Sequence, residues 1–293
     1  MPHVRANGIR IEYEEFGQQD STPVLLIMGL GAQMVIWDER FCELLAGKGF
    51  RVIRYDNRDV GLSTKFDRQC PDPGPLFLDV LQGKSIVPPY TLEDMADDAA
   101  GLLQELGIPA AHIVGASMGG MIAQSLAIRH PERVLTLTSI MSTTGNPDLP
   151  QADPNVLAIL AQPIPTEREA AIEHAVMLSR VIGSPGFKFD EERTRMLAKL
   201  CYERDPDPVG SVRQILAIMT ATSRKDALRS VTVPTLVIHG AADPLVPIAG
   251  GFDTAEAIPG AKMLVIEGMG HDMPEAAWPR LTDAFLELTR QIE

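Results

Sequence analysis

The sequence predicts an α/β fold: a mostly parallel central sheet flanked by helices, with an all-helical segment inserted past the middle of the chain. Three observations predict it. Short apolar runs of strand length, such as Pro23 to Met28, alternate with longer helical patterns, and a continuous run marks a strand buried on both faces. In Gly115-Ala116-Ser117-Met118-Gly119, a serine stands between glycines where the strand-like His112 to Val114 gives way to the helix-forming Met121 to Ile128. From Ser142 to Ser230 the alternation stops, and helical signals follow one another with no strand between them.

Taken in order, Val4 to Ala6, Asn7-Gly8 and Ile9 to Phe16 predict a β-hairpin on an Asn-Gly turn. Pro23 to Met28 is the first buried strand, a helix follows from about Trp37 to Gly47, and Arg51 to Tyr55 is the next strand. The Pro- and Gly-rich stretch Cys70 to Pro89 reads as a loop with one short helix around Leu76 to Leu81. Thr91 to Leu106 is a helix: Thr91 caps it, Asp94 sits three residues on, and Leu92, Met95, Ala99, Leu102, Leu103 and Leu106 form one apolar stripe. The serine-bearing turn and its helix come next, ending at His130-Pro131, and Val134 to Met141 is again a strand.

The inserted segment opens with a capped helix at Asp153-Pro154 and continues through a capping box at Thr166 to Glu169. Further helical runs open at Asp190, beneath three acidic residues suited to a helix N-terminus, and at Gly210. Strands Thr235 to His239 and Met263 to Ile266 then restore the βα rhythm, and an amphipathic helix from Pro274 to Ile292 closes the chain. The expected division is a core of residues 1–141 and 231–293 with a helical cap, or lid, at 142–230.

At 293 residues the chain is long enough for a full core. A net charge of −13 without a cluster of Lys and Arg argues against nucleic acid as a partner. The first residues, Met1 to Gly8, carry neither an apolar segment nor a small-residue cleavage site. No window approaches about 18 uncharged apolar residues, so a cytoplasmic protein without membrane insertion is expected. Cys42, Cys70 and Cys201 are odd in number and widely spaced, which suggests neither a disulfide framework nor a metal site. Oligomeric state is left open.

Ser117 is the candidate nucleophile. At the tip of a strand-to-helix turn its backbone is strained, glycines two residues either side remove obstructing Cβ atoms, and the following helix presents unpaired N–H groups. A serine hydroxyl needs a base to take its proton and a carboxylate to orient that base. Asp243, after the strand Thr235 to His239, is the candidate acid; the end of the strand Val134 to Met141 offers no carboxylate. His271, in Gly268-Met269-Gly270-His271, follows the last strand and is the candidate base. His239 lies before the acid and fits that role less well. The expected oxyanion donors are the N–H groups of Met118, next after the nucleophile, and of Leu30, in the glycine-flanked turn Met28-Gly29-Leu30-Gly31.

With nucleophile, acid and histidine in that chain order, the sequence resembles the α/β-hydrolase superfamily over essentially its whole length. Asp56 to Ser63 is similar to that superfamily's D-x-R-G-x-G-x-S loop, with Asp59 where glycine is usual; the resemblance implies a structural role for Asp56 and Arg58. Met28-Gly29, Arg54 to Asp59, Val231 to Ile238 and Gly268 to His271 further resemble small carboxylesterases of the aclacinomycin methylesterase group. A serine nucleophile disfavours the superfamily branches that use aspartate or cysteine there. The expected activity is hydrolysis of small to medium apolar esters, or methyl esters, through an acyl-enzyme, with no cofactor and no metal. The alternatives are acyl transfer to another acceptor or cofactor-free perhydrolysis on the same residues, and a non-catalytic small-molecule binding protein on this fold. Met177, Met196 and Met219 in the insertion, with Met28, Met34 and Met118, suggest a broad apolar pocket or ordinary core filling.

Overall fold

The computed structural model describes residues 2–67, 69–70, 72–160 and 162–292. Strands β1 (His3–Ala6), β2 (Ile9–Phe16), β3 (Thr22–Ile27), β4 (Phe50–Tyr55), β5 (Ala111–Ala116), β6 (Val134–Ile140), β7 (Thr235–Gly240) and β8 (Lys262–Ile266) form one sheet in the order β1-β2-β4-β3-β5-β6-β7-β8. β1 and β2 run antiparallel to their neighbours, and every pair from β4 to β8 is parallel. From β3 the chain crosses to β4 on one side and returns to β5 on the other. The strand order therefore reverses at the carboxyl ends of β3 and β5, the kind of switch point at which open α/β sheets bind their ligands.

The helices are α1 (Glu39–Ala46), α2 (Gly74–Leu81), α3 (Leu92–Glu105), α4 (Met118–Arg129), α5 (Pro154–Leu160), α6 (Arg168–Ile182), α7 (Glu191–Arg204), α8 (Val209–Met219), α9 (Lys225–Leu228), α10 (Ala249–Ala257) and α11 (Trp278–Thr289). Successive residues of β3 explain its unbroken apolar run. Val24 and Leu26 face a core completed by Phe41 and Leu45 of α1 and by Phe285 and Leu288 of α11. Leu25 and Ile27 face the opposite core, with Leu102 and Leu103 of α3 and Ile122 and Leu126 of α4. All four strand side chains are fully buried, each worth about 1.5–3 kcal/mol of transfer free energy.

Local signals account for most boundaries. Asn7 and Gly8 both have positive φ, 47° and 76°, as a two-residue hairpin turn requires. Thr91 and Asp94 close a reciprocal capping box on α3, Thr91 N–H to Asp94 Oδ2 at 2.8 Å and Asp94 N–H to Thr91 Oγ1 at 3.1 Å. Asp190 caps α7 by accepting from Arg193 N–H.

Several expectations shift. The helix expected from Trp37 starts at Glu39, because Met34–Ile36 forms a 3₁₀ turn and the Asp38 carboxylate accepts the Arg40 N–H. The box expected at Thr166 does not form: Glu167 is the cap, accepting from Ala170 N–H, and the Thr166 carbonyl instead accepts from the Tyr202 hydroxyl. The closing helix begins at Trp278 after a 3₁₀ turn at Glu275–Ala277, with Pro279 in its first turn, where a missing N–H costs nothing. Among the described residues, α5 to α9 separate β6 from β7 with no strand between them, one short helix more than expected. α10 was not anticipated.

Candidate active site

Ser117 occupies the junction of β5 and α4 with φ 57° and ψ −122°, a region that side-chain-bearing residues rarely enter. The surrounding chain imposes this. A Cβ on Gly115 would stand 2.1 Å from the Gly119 carbonyl oxygen, and one on Gly119 would stand 2.1 Å from that of Ile27. Both glycines are thus dictated by close passage of backbone against backbone. Ser117 N–H donates to Ile140 O at 2.9 Å, and the Ser142 hydroxyl donates to Ser117 O at 2.8 Å.

His271 follows β8, and its ring lies between the two other candidates. Its Nδ1 is 2.7 Å from Asp243 Oδ2 and its Nε2 is 2.9 Å from Ser117 Oγ. With Nδ1–H donated to the carboxylate, Nε2 is the acceptor for the serine O–H. Asp243 is held on both oxygens: Oδ1 accepts the N–H groups of Leu245 and Val246, each at 2.9 Å. Burial would raise the Asp243 pKa, but the hydrogen bonds from His239 and His271, the charge of His271 and the Val246 N–H bring it down to about 2. The carboxylate is therefore ionised at neutral pH. His239 stands behind it, fully buried, with Nε2 donating to Val246 O at 2.8 Å and 3.5 Å from Asp243 Oδ2.

The turn after β3 lies against the serine, where a Cβ on Gly29 would be 3.1 Å from Ser117 Cβ and 3.6 Å from Oγ. Met28 O accepts from Asn57 Nδ2 at 2.9 Å, and Gly29 O accepts from Ala32 N–H at 3.3 Å. Because a trans peptide points its N–H away from its carbonyl, pinning Gly29 O sets the direction of the Leu30 N–H. Among the described residues, the Leu30 and Met118 N–H groups donate to no other group of the protein. A serine hydroxyl bonded to imidazole, an ionised carboxylate behind it and two free N–H groups beside it can attack a carbonyl carbon and hold the resulting oxyanion.

Residues 22–177 match the family described as alpha/beta hydrolase fold, and residues 187–289 the one described as TAP-like protein. The chain is 30% identical to rhodomycin D methylesterase DauP of Streptomyces sp. (strain C5) over 94% of each protein. It belongs to the α/β-hydrolase family. The same identity and coverage hold for rhodomycin D methylesterase DnrP of Streptomyces peucetius. The enol-lactonase from Burkholderia xenovorans LB400 shares the fold with TM-score 0.73 at 23% identity, covering 98% of this chain and 99% of its own.

In this α/β-hydrolase, the loop at Asp56 to Ser63 braces the site from below. Asp56, fully buried, accepts from Met34 N–H, Leu62 N–H and Arg204. Arg58 pairs with the buried Asp98. Asp59, with φ 72° in the left-handed region that favours glycine, pairs with Arg213 of α8, both side chains fully buried. Two kinds of contact escape sequence reasoning. Asn57 sits inside a loop the sequence singles out, and its amide was the available signal. The insertion's hold on the histidine loop had none: His271 N–H donates to Ile182 O at 2.7 Å, Gly270 N–H to Ser184 Oγ at 2.9 Å, and Gly186 N–H to Gly268 O at 2.9 Å. Among the described residues no three His, Cys, Asp or Glu side chains gather as metal ligands, and no helix is long and apolar enough to cross a membrane.

Proposed function

We propose that this protein is a carboxylic ester hydrolase that works through an acyl-enzyme on Ser117, with His271 as base and Asp243 as the orienting acid. The observation that carries the reading is the continuous relay from Ser117 Oγ through the His271 ring to Asp243, at 2.9 and 2.7 Å. Ser117 Oγ attacks the ester carbonyl as its proton passes to Nε2, and the ionised Asp243 stabilises the imidazolium. The N–H groups of Leu30 and Met118 receive the oxyanion, assisted by the positive end of α4. His271 then protonates the leaving alcohol, and the same ring activates the water that releases the acid.

Likeness to two proteins named as methylesterases supports a small apolar or methyl ester as the substrate. Residues 142–230 serve as a cap whose helices bound the acyl or alcohol pocket. The test is hydrolysis of p-nitrophenyl esters of increasing acyl length, with Ser117→Ala beside wild type. Turnover should fall by about 10⁴-fold or more in the variant, and the preferred length sizes the pocket. A variant that keeps wild-type rates removes Ser117 as nucleophile. Labelling of Ser117 by a fluorophosphonate checks the assignment where no ester in the series is turned over.

A further inference from the structure

The Leu30 N–H is useful only if its peptide is held before the substrate arrives, since an oxyanion hole works by being preorganised. Two of the three peptides around it are anchored from the core: Asn57 Nδ2 holds Met28 O, and Ala32 N–H holds Gly29 O. The third anchor comes from the insertion. Gly31 N–H donates to Gln214 Oε1 at 2.8 Å, across 183 residues of chain, while Gln214 Nε2 donates to Arg58 O at 2.8 Å. The two bonds require opposite ends of the amide, so they fix which end faces which partner.

Gln214 is fully buried, on a helix pressed hard against the core. One turn earlier, a Cβ on Gly210 would stand 1.9 Å from Asp59 O, and a Cβ on Gly31 would stand 3.2 Å from Ser211 Cβ. Gly31 itself has φ 64°, so its backbone is turned away from what most residues would choose. Without the Gln214 oxygen, the Gly31 N–H would lose the acceptor that fixes its direction, and the peptide would be free to rotate toward solvent.

We propose that Gln214 is a positioning residue for the oxyanion hole: through Gly31 N–H it holds the Leu30 N–H in its receiving orientation. The inference rests on the ester-hydrolase reading above. It places part of the catalytic geometry under the control of α8, in the segment that would also contact substrate.

The test compares wild type with Gln214→Met, Gln214→Asn and Gln214→Glu, each titrated for active sites with a fluorophosphonate. Gln214→Met keeps the length but not the acceptor, and Gln214→Asn keeps the amide but draws it back from Gly31. Both should lower kcat by about 10²-fold, the scale of a lost or misplaced oxyanion donor, with KM little changed. Affinity for a trifluoromethyl ketone, which forms a tetrahedral adduct on the serine, should fall by the same factor. Gln214→Glu, whose buried carboxyl stays protonated and so offers an oxygen to the Gly31 N–H and an O–H to Arg58 O, should recover most of kcat. A role confined to stability would lower Tm and leave the titrated kcat and the ketone affinity at wild-type values, and that result overturns the proposal. Equal losses in Gln214→Asn and Gln214→Glu overturn it as well, and this pair decides should Gln214→Met not fold. Ser117→Ala separates the two levels. If it retains turnover, the triad reading fails; if it is inactive while Gln214→Met matches wild type, only this inference fails. Wild type that neither hydrolyses esters nor takes the fluorophosphonate overturns both.

Discussion

The turn at Ser117 and the helix α8 both bring backbone against backbone at distances only glycine permits, yet they are held by different forces. At the turn, Gly115 meets the Gly119 carbonyl four residues on, a contact the joined strand and helix enforce by covalent continuity, and Gly119 meets the Ile27 carbonyl of the neighbouring strand β3. At α8 the glycine is Gly210, its counterpart Asp59 is far away in sequence, and the contact is kept by a buried ion pair. Arg213 Nε and Nη2 each lie 2.9 Å from an Asp59 oxygen, and Nη1 donates to Cys70 O. The contrast teaches that the Ser117 turn is secured by close backbone packing within the central sheet, with no ion pair in the contact. The turn at Gly29 to Gly31 and the histidine loop are held in part by the segment between β6 and β7, whose docking combines a buried ion pair with apolar packing of Leu216 and Ala217.

Breaking the Asp59–Arg213 pair is the sharpest test of that contrast. A charge left alone in the interior is costly, so Arg213→Met should destabilise by about 3–5 kcal/mol. Replacing both partners, Arg213→Met with Asp59→Gly, removes the stranded charge and relieves the positive φ at residue 59. The double variant should recover most of the loss. Urea unfolding midpoints, with the slope checked for a shared two-state transition, measure this. A double variant no more stable than the single one would mean that the pair supplies more than mutual neutralisation.

The same contrast explains what the sequence made legible. That Ser117, Asp243 and His271 come together could be read because each follows a strand of the parallel sheet, and the chemistry proposed for them restricts their order. The loop at Asp56 to Asp59 was readable as structure, and its carboxylates do hold backbone N–H groups and arginines. Helix α10 was not readable, since Gly250 and Gly251, poor helix formers in isolation, fill its first turn after Ala249. Gly251 is there because a Cβ would meet His239 Nδ1 at 2.6 Å, a fact of tertiary packing. Thr166 misled because Glu167 beside it could cap instead. Gln214 carried no signal at all: a glutamine inside a helix looks ordinary until the loop 183 residues away is seen beneath it.

The sheet beneath both regions makes its own prediction about acid. His112 on β5 lies between the rings of Phe50 and Phe285, hydrogen-bonded to Thr136 Oγ1 at 2.9 Å, and burial lowers its pKa to about 4. An unfolded histidine takes up its proton near pH 6.5, so between about pH 6.5 and 4 the unfolded chain binds more protons. Stability therefore falls as pH drops through that window, by about 2 kcal/mol from pH 7 to pH 5 for this residue. His112→Leu combined with Thr136→Val should flatten that part of the curve, read as unfolding midpoints at the two pH values. An unchanged slope would assign the acid sensitivity to other groups.

The smallest effect is expected on the outer face of the insertion. Arg195 of α7 pairs with Glu173 of α6 and, at 3.2 Å, with Glu191 one turn earlier, but these groups stand in solvent. Exposed pairs spend side-chain entropy to form and are screened within about 8 Å at physiological salt. Arg195→Ala should consequently leave the unfolding midpoint within measurement error at 0.15 M salt, and any difference seen at low salt should vanish as salt is raised. If Arg195→Ala instead cost as much as Arg213→Met, the distinction between a docked inner face and a solvated outer one would collapse. The insertion would then be held as one network, and the hold of α8 on the turn at Gly31 would extend to every ion pair in α6 and α7.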